Sequence, residues 1–428
     1  MGKSVGEIQR MLYDMAKAEP KKRFHSLYDK IQRMDVLEEA WEIVRRNGGS
    51  PGIDGITIRE TEKGVETLLN EIQSELKSKT YKPSSLKRIY IPKANGKQRP
   101  LSIPTVKDRI TQTAIKLIIE PIFETQFEPY SFGFRPDKSA HDAVDEIVKY
   151  LNYGCEYVID ADIKACFDNI DKSRLMEQVA RRISDGAILH LIRQFLDAGI
   201  MEGSEIHSQD RGTPQGSPLS PLLANIYLDQ MDKQWKASGL TGRYGGNAHL
   251  IRYADDFLIL TTSNPETAKR KLEEIMKELD LTLNTEKTRI VKAEEGFDFL
   301  GFRFVRQYSA WRRKRVTRWL PSPKSELKIR DRIHGLTDNK ARSHMIPEDA
   351  KNMLIPILRG WGNYFSHSLA SEIFNDTWSY AQYRLMCMYC RQHNIPKTWN
   401  DKDVGKLGLS IMDTMPRTLL GKRHNAMS

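Results

Sequence analysis

The run HLIRYADDFLILT, residues 249–261, decides the fold because it contains two apolar, β-branched segments separated by two acids. These segments predict strands at His249–Tyr253 and Phe257–Thr261, joined as a hairpin by residues 254–256. Two adjacent carboxylates at a tight turn repel each other, and a divalent cation would remove that repulsion. The alternative is a solvated acidic turn, which so short a pattern does not exclude.

Outward from this hairpin, residues 156–300 predict the order strand–helix–strand–strand–helix–strand. The predicted elements are a strand at 157–159, helices up to about 198 and over 221–231, the hairpin, a helix at 265–279 and a strand near 288–292. This is the split βαβ order of a ferredoxin-like sheet. Such a sheet brings the end of its first strand beside the hairpin turn.

Acids also follow the first strand, in the run DADIKACFD at 160–168. Strand alternation sends Asp160 and Asp162 to one face, and the strand end favours Asp162 as the ligand beside the turn. Phosphoryl transfer with two metal ions places them about 3.5–4 Å apart, and Mg²⁺ prefers carboxylate oxygens as ligands. Asp162, Asp255 and Asp256 are therefore the candidate catalytic and metal-binding residues.

Three more segments carry candidate nucleotide contacts. The ring of Phe167 could press on a sugar and exclude a 2′-hydroxyl, or it could pack in the core. The run GTPQGSPLSP at 212–221 is the most specific single signal, since its glycines let backbone approach a base or template closely. The run IPKANGKQRP at 91–100 predicts a hairpin with three cations, which fits a triphosphate clamp or a solvated turn.

Together these runs resemble the group II intron-encoded reverse transcriptases, also called maturases, from about residue 40 to residue 366. So many matches in one order leave chance agreement negligible. The matching runs are NGGSPGIDG (47–55), IPKANGKQRPLSIPTVKDR (91–109), SFGFRPDKSAHDAV (131–144), DIKACFD (162–168), PQGSPLSPLLANIYL (214–228), YADD (253–256), LNTEKT (283–288), FLGF (299–302) and RGWGNYF (359–365).

The resemblance implies an α+β fold, a right-hand polymerase with fingers, a ferredoxin-like palm sheet and a helical thumb, or maturase X, domain. The implied division is a basic helical N-terminal extension at 1–46, fingers at 47–150, a palm with interleaved fingers helices at 151–302, a thumb at 303–392 and a short tail at 393–428. The basic, aromatic segment after 302 is expected to join the sheet to the thumb helices.

The resemblance also assigns roles, with two Mg²⁺ ions on Asp162, Asp255 and Asp256. Six further residues would contact the incoming nucleotide: Lys93 and Arg99 at the triphosphate, Phe167 as the sugar gate, Gln215 and Gly216 beside the nascent base pair, and Lys287 as the general acid for pyrophosphate. For Lys287, an ordinary surface lysine is the alternative.

The chain has 67 Lys and Arg against 56 Asp and Glu, a net charge of +11, which favours a polyanionic partner over a basic surface that serves only solubility. The excess is greatest at 303–333, where eleven Lys or Arg face two acids and aromatics interleave. Phosphates would meet these charges, and rings could stack on bases. The candidate nucleic-acid-binding residues are Arg312, Arg313, Lys314, Arg315 and Arg318; a solvated face on a helical bundle is the alternative.

The remaining features narrow the class of protein. Four cysteines make no disulfide framework, and Cys387 and Cys390 lack a second ligand pair at zinc spacing, so buried or free thiols are expected. We find neither the apolar core of a signal peptide nor an apolar run as long as a membrane span. The expectation is a soluble, cytoplasmic, bacterial protein that associates with the nucleoid and has no membrane partner.

The run after the RGWGNYF motif lacks the paired cysteines and histidines of the family's endonuclease, so no working endonuclease is expected. A short DNA-binding tail is left open by its basic residues, which are Lys402, Lys406, Arg417, Lys422 and Arg423.

The leading hypothesis is an RNA-directed DNA polymerase that extends a primer 3′-hydroxyl and, as a maturase, assists intron splicing and retrotransposition. Its expected partners are an RNA template, a DNA or RNA primer, deoxynucleoside triphosphates and a group II intron RNA. The main alternative is a domesticated, intron-free relative in defence or DNA repair. A splicing chaperone without catalysis is a third reading, and the intact aspartates argue against it.

Overall fold

The computed structural model describes residues 3–92, 96, 98–203, 205–207, 210–241, 247–338, 345–396 and 407–415. The chain divides into two compact units. The first comprises residues 1–143 and 159–289, and the second comprises residues 144–158 and 290–428. The five-part domain division expected from the sequence stays a prediction.

Within the described residues there are fifteen α-helices, eleven β-strands and one 3-10 turn. The helices are α1 (Val5–Ala18), α2 (Tyr28–Ile31), α3 (Met34–Asn47), α4 (Ile58–Glu62), α5 (Val65–Ser78), α6 (Val106–Glu124), α7 (Ala140–Asn152), α8 (Cys166–Asn169), α9 (Lys172–Ala180), α10 (Gly186–Asp197), α11 (Ser220–Ala237), α12 (Pro265–Glu278), α13 (Pro323–Thr337), α14 (Pro347–Phe365) and α15 (Ser371–Gln392). The strands are β1 (Leu86–Pro92), β2 (Gln98–Ile103), β3 (Tyr157–Asp162), β4 (Ile200–Glu202), β5 (Glu205–His207), β6 (Ala248–Tyr253), β7 (Asp256–Thr261), β8 (Arg289–Lys292), β9 (Phe297–Phe299), β10 (Phe302–Ser309) and β11 (Lys314–Pro321), and the 3-10 turn is Met412–Thr414.

The sheet that carries the acids has the strand order β6–β7–β3–β8. In chain order the four strands of the predicted motif are β3, β6, β7 and β8. The sheet places the second strand at one edge, followed by the third, the first and the fourth, which confirms the ferredoxin-like arrangement. Strands β6 and β7 pair antiparallel with Tyr253 opposite Asp256. Asp256 is therefore the first residue of β7, and only Ala254 and Asp255 form the turn, so the sequence prediction that placed Asp256 in the connection was wrong. A two-residue connection is the commonest way to close such a hairpin.

Strand β7 is apolar on both faces, since Phe257, Leu258, Ile259 and Leu260 are all fully buried. A strand covered on both faces reads as a continuous apolar run rather than as an alternating one. Helix α11 packs against α9 and α12 in the same unit. Helix α11 also carries Asp232, which pairs with Arg252 of β6 just before the acidic turn.

The N-terminal helices pack on α6, which is buried along most of its length. Helix α1 buries Ile8, Leu12 and Ala16 at helical spacing. Helix α3 buries a stripe that includes Leu37 and Trp41. Helical structure predicted for this segment from its apolar spacing is confirmed.

A second sheet has the order β2–β1–β4–β5. Strands β1 and β2 form an antiparallel hairpin, which ends at the pair Pro92 and Gln98. Residues 93–95 and 97 lie outside the described residues, so the predicted triphosphate contact Lys93 does too. Strand β1 also pairs in parallel with β4, with Leu86 beside Ile200.

The second unit combines a three-stranded sheet, in the order β11–β10–β9, with helices α13, α14 and α15. The Ser322 side chain accepts a hydrogen bond from Ser325 N at 3.2 Å, and Pro323 is the first helical residue, which confirms the predicted cap of α13. The unit is held by a cluster of aromatic rings, whose members are Phe302, Trp361, Tyr364, Phe365, Phe374 and Trp378.

All four cysteines are buried and free, as expected from their number and spacing. In the part of the chain that the structure describes, no helix is both long enough and apolar enough to cross a membrane. The tail cations from Lys402 to Arg423 lie outside that part.

Candidate active site

The acidic turn is shaped by close backbone packing. Ala254 has a left-handed backbone (φ +58°). Gly133, in the SFGF loop, lies directly against it, and a Cβ at Gly133 would stand 2.3 Å from Ala254 N. The Asn225 side chain on α11 donates from Nδ2 to Gly133 O at 2.8 Å. A side chain at Gly133 would therefore displace the turn that carries Asp255.

A buried ion pair supports the same turn. Arg252 and Asp232 are both fully buried, and the Arg252 guanidinium donates from Nε and Nη2 to the Asp232 carboxylate at 2.5–3.0 Å. Arg252 Nη1 donates to Ala254 O at 3.0 Å and to Asn225 Oδ1 at 2.9 Å. The guanidinium thus links helix α11 to the turn itself. Removing one partner of such a pair leaves an uncompensated buried charge.

The predicted strand-end acids both face the segment 284–289. The two carboxylate oxygens of Asp162 accept from Lys287 Nζ at 3.0 and 2.9 Å, and one of them accepts from Asn284 Nδ2 at 3.1 Å. The Asp160 carboxylate accepts from Arg289 at 3.1 and 3.2 Å. Their shared face follows from the two-residue period of a strand.

Negative charge is concentrated at the turn. Burial, followed by the negative charges of Asp255 and Asp162, raises the pKa of Asp256 to about 6, although its side chain still reaches solvent. Burial is the larger of these causes, and the neighbouring carboxylates add to it because like charges disfavour the ionised form. A divalent cation would neutralise that charge and lower the repulsion.

The side chains of all three aspartates offer carboxylate oxygens, which are the type of ligand that Mg²⁺ prefers. Across the described residues, however, no three His, Cys, Asp or Glu side chains lie close enough together to hold one metal ion. Asp162 is paired with Lys287 and would have to exchange that ammonium group for the ion. The fit rests on the charge and type of the donors.

A cavity of about 770 Å³ opens at the turn, within the size range of small-ligand sites. Its walls come from the two sheets, the SFGF loop, the loop at 47–50 and the start of α11. Six of the predicted site residues line it: Arg99, Phe167, Gln215, Gly216, Asp255 and Asp256. Asp162 and Lys287 are not part of this lining.

Both polar atoms of the Gln215 side-chain amide make hydrogen bonds. Its Oε1 accepts from Arg99 Nε at 3.2 Å, and its Nε2 donates to the Asp168 carboxylate at 3.2 Å. Gly216 has φ +110°, and a Cβ there would lie 2.8 Å from Ser102 O. Only glycine fits this close approach without strain. The loop is thereby fixed against the edge of β2.

Phe167 is half-buried in the cavity wall rather than enclosed in the core. Its backbone carbonyl accepts a hydrogen bond from Thr213 N at 2.7 Å, which ties Phe167 to the start of the PQGSP loop. The ring therefore faces the cavity as well as its packing neighbours. Its predicted role as a sugar gate stays a prediction.

Sequence reasoning missed several residues that build the site. Arg109 is buried, and it donates to Gly48 O at 3.1 Å and to Ser50 O at 2.7 Å, which holds the 47–50 loop at the cavity. Burial lowers the pKa of Arg109. The Arg252–Asp232 pair was also missed. A charged residue inside an apolar strand run such as LIRY is the signal that could have found Arg252, because such residues are rarely buried without a partner.

The predicted nucleic-acid-binding cations lie in the second unit, on the hairpin of β10 and β11. Arg312 and Arg313 are in its turn, and Lys314, Arg315 and Arg318 are on β11. All five are exposed.

Comparison with protein families gives two matches. Residues 91–304, half of the chain, match the family "Reverse transcriptase (RNA-dependent DNA polymerase)". Residues 327–405 match "Group II intron, maturase-specific domain". The first match contains the whole cavity lining except the 47–50 loop and Ile89, and the second begins within α13.

Individual proteins are also similar to this chain. The chain is 33% identical over 356 residues to Protein YkfC of Escherichia coli strain K12, which covers 75% of this chain and 93% of that protein. It is 40% identical over 211 residues to the group II intron-encoded protein LtrA of Lactococcus lactis subsp. cremoris, covering 49% of this chain and 35% of LtrA. A solved Cas6-RT-Cas1–Cas2 complex is similar over 59% of this chain and 41% of that chain, with 24% identity and a TM-score of 0.38.

Proposed function

This chain belongs to the reverse transcriptase (RNA-dependent DNA polymerase) family, and on that premise we propose that it extends a primer 3′-hydroxyl on an RNA template by two-metal-ion nucleotidyl transfer. The observation that carries the proposal is the cavity that collects Arg99, Phe167, Gln215 and the adjacent pair Asp255 and Asp256 from four separate segments.

In this proposal Asp162, Asp255 and Asp256 hold two Mg²⁺ ions. When bound, the ions supply charge neutralisation for the triphosphate and activation of the primer hydroxyl. The ions would replace Lys287 at Asp162, so this ammonium group would be free to donate a proton to the leaving pyrophosphate. Asp256 must be ionised to act as a ligand, and the cations favour that ionised form.

The remaining cavity residues would place the nucleotide. Arg99, together with Lys93, would bind the triphosphate, and the backbone of Gln215 and Gly216 would lie beside the nascent base pair. The amide of Gln215 is oriented by Arg99 and Asp168, which supports a fixed surface for that pair. The ring of Phe167 would leave no room for a ribose 2′-hydroxyl.

The partners follow from the same argument. An RNA template, a DNA or RNA primer and deoxynucleoside triphosphates are proposed as the substrates. We also propose a group II intron RNA as a partner, with assistance to its splicing and retrotransposition, because residues 327–405 match the maturase-specific domain. This second activity would be tested by splicing of such an intron with and without the protein.

Primer extension tests the polymerase activity directly. The purified chain, supplied with Mg²⁺, an RNA template, an annealed DNA primer and deoxynucleotides, is expected to give a full-length DNA product. Replacing the deoxynucleotides with ribonucleotides is expected to stop extension after few additions. No product on any primed RNA template would refute the proposal.

A further inference from the structure

The hairpin of β10 and β11 presents exposed aromatic rings among cations. Trp311 is 76% exposed, more than any other large apolar side chain of the described residues, and Tyr308 is 65% exposed. Single exposed apolar residues are common on protein surfaces and need no explanation. Here, however, both rings lie on one hairpin together with five exposed cations, and this combination is typical of a binding surface.

The Trp311 ring lies in the turn of this hairpin. Ser309 pairs with Lys314, so the strands close around a four-residue turn at 310–313. Arg312 N donates to Ser309 Oγ at 3.3 Å inside this turn. The Arg312 guanidinium lies 5.6 Å from the centre of the Trp311 ring, a cation–π distance. The turn thus offers one flat ring with a cation beside it.

A cleft of about 730 Å³ runs along the same hairpin, wholly within the second unit. Four cations and no acidic residue line it, the cations being Arg312, Lys314, Arg315 and Arg318. Glu294 pairs with Arg315 at 3.2 Å, but among the described residues Lys314 and Arg318 have no carboxylate partner. Thr317 also lines the cleft, and its buried hydroxyl has no hydrogen-bond partner in the described part of the chain.

We propose that this hairpin binds unpaired RNA, with phosphates in the cleft and a base stacked on Trp311. The inference rests on the proposed function, which already requires RNA, and adds the form of RNA that this surface takes. In a duplex the bases stack on one another and their faces are closed to a protein ring. Aromatic rings interleaved with cations are typical of surfaces that bind single strands.

Two variants test the contributions of the ring and of the positive charge separately. Trp311→Ala removes the ring and keeps the cations, whereas Arg318→Gln removes one cation and keeps the ring. Tyr153→Ala is the matched control, because Tyr153 is 74% exposed in the same unit but lies outside the hairpin. Each full-length variant is titrated by fluorescence anisotropy against a labelled 12-nucleotide single-stranded RNA and against a blunt 12-base-pair RNA duplex, at several salt concentrations.

Trp311→Ala is expected to weaken single-strand binding on the order of tenfold, with little change in duplex affinity or salt dependence. Trp311→Phe should restore most of that loss. Arg318→Gln should lower the slope of log affinity against log salt by about 0.7 for the single strand, as one phosphate contact is lost. Tyr153→Ala should match the wild type.

An equal loss on both probes for Trp311→Ala, or no loss on either, would overturn the proposal, since the hairpin would then act through charge alone or not at all. Failure of the wild-type chain to extend any primer would instead refute the polymerase function and leave the binding result to stand separately.

Discussion

Phe167 presents a half-buried ring to the cavity that also holds Asp255 and Asp256. We predict that Phe167→Val raises ribonucleotide incorporation relative to deoxyribonucleotide incorporation on the order of tenfold, because the smaller side chain leaves room for a 2′-oxygen. Single-nucleotide extension with each nucleotide measures the ratio. Phe134→Ala is the control, since this ring lines the same cavity. An unchanged ratio in a Phe167 variant that still extends primers would show that the ring does not select the sugar.

The buried pair of Arg252 and Asp232 makes a second prediction for single residues. Arg252→Gln leaves the Asp232 carboxylate buried without its counter-charge, so we expect a loss of about 3–5 kcal/mol in stability, seen as a lowered Tm. The double variant Arg252→Gln, Asp232→Asn buries no charge and should recover part of that loss. If Arg252→Gln melts like the wild type, the pair does not stabilise the turn.

At the level of residues, the sequence pointed to side chains whose chemistry is unusual. Cations, glycine-rich loops and paired acids pointed to Arg99, Gln215 and Asp255, which line one cavity and whose roles stay predictions. The pairing of Asp162 with Lys287, and the role of Arg109 behind the 47–50 loop, depend on contacts between distant segments. One sequence does not report such contacts.

At the scale of structural elements, the SFGF loop packs directly against the acidic turn. We predict that Gly133→Ala lowers primer extension strongly while RNA binding is kept, because the added Cβ would stand 2.3 Å from Ala254 N and force the turn to move. Gly186→Ala is the matched control, since nothing lies within 4 Å of a Cβ there. Extension by Gly133→Ala at the wild-type rate would show that the turn tolerates the shift.

The β10–β11 hairpin carries a prediction about salt. Replacing Arg312, Arg313, Lys314 and Arg315 with Ala should weaken RNA binding, flatten its salt dependence and shorten the products made per binding event, because fewer counterions are released. Short extensions should continue, since the cavity lies in the other unit. Binding isotherms at several salt concentrations and a single-turnover extension assay measure these effects. If the variant binds RNA with an unchanged salt slope and makes full-length products, the hairpin is not part of the nucleic-acid surface.

The elements themselves were largely predictable. The run FLIL predicted a strand, and Ser322 with Pro323 predicted the start of α13, because short-range patterns determine both. The parallel pairing of β1 with β4 was not predicted, since β4 has three residues and its partner lies more than a hundred positions earlier in the chain. The extent of β7 was misjudged by one residue, because the hairpin closes tightly at Tyr253 and Asp256.

At the scale of the whole molecule, the net charge of +11 and the family membership agree on a nucleic-acid enzyme. The sequence predicted this class from ordered motifs, and the order of the palm strands follows from the same motifs. The form of RNA bound and the exact intron partner depend on surfaces rather than on motifs. The sequence predicted a basic, aromatic surface at 303–333, and the fold adds that its five candidate cations are all exposed on one hairpin.

The most direct test of the central claim separates catalysis from binding in one variant. Asp255→Ala should abolish DNA synthesis on a primed RNA template, because a proposed metal ligand is lost, while affinity for the same RNA stays within about twofold, because the proposed basic surface is unchanged. Asp145→Ala, which removes an exposed acid on α7, should behave as the wild type in both assays. Wild-type extension by Asp255→Ala would contradict the assignment of this turn as the catalytic centre.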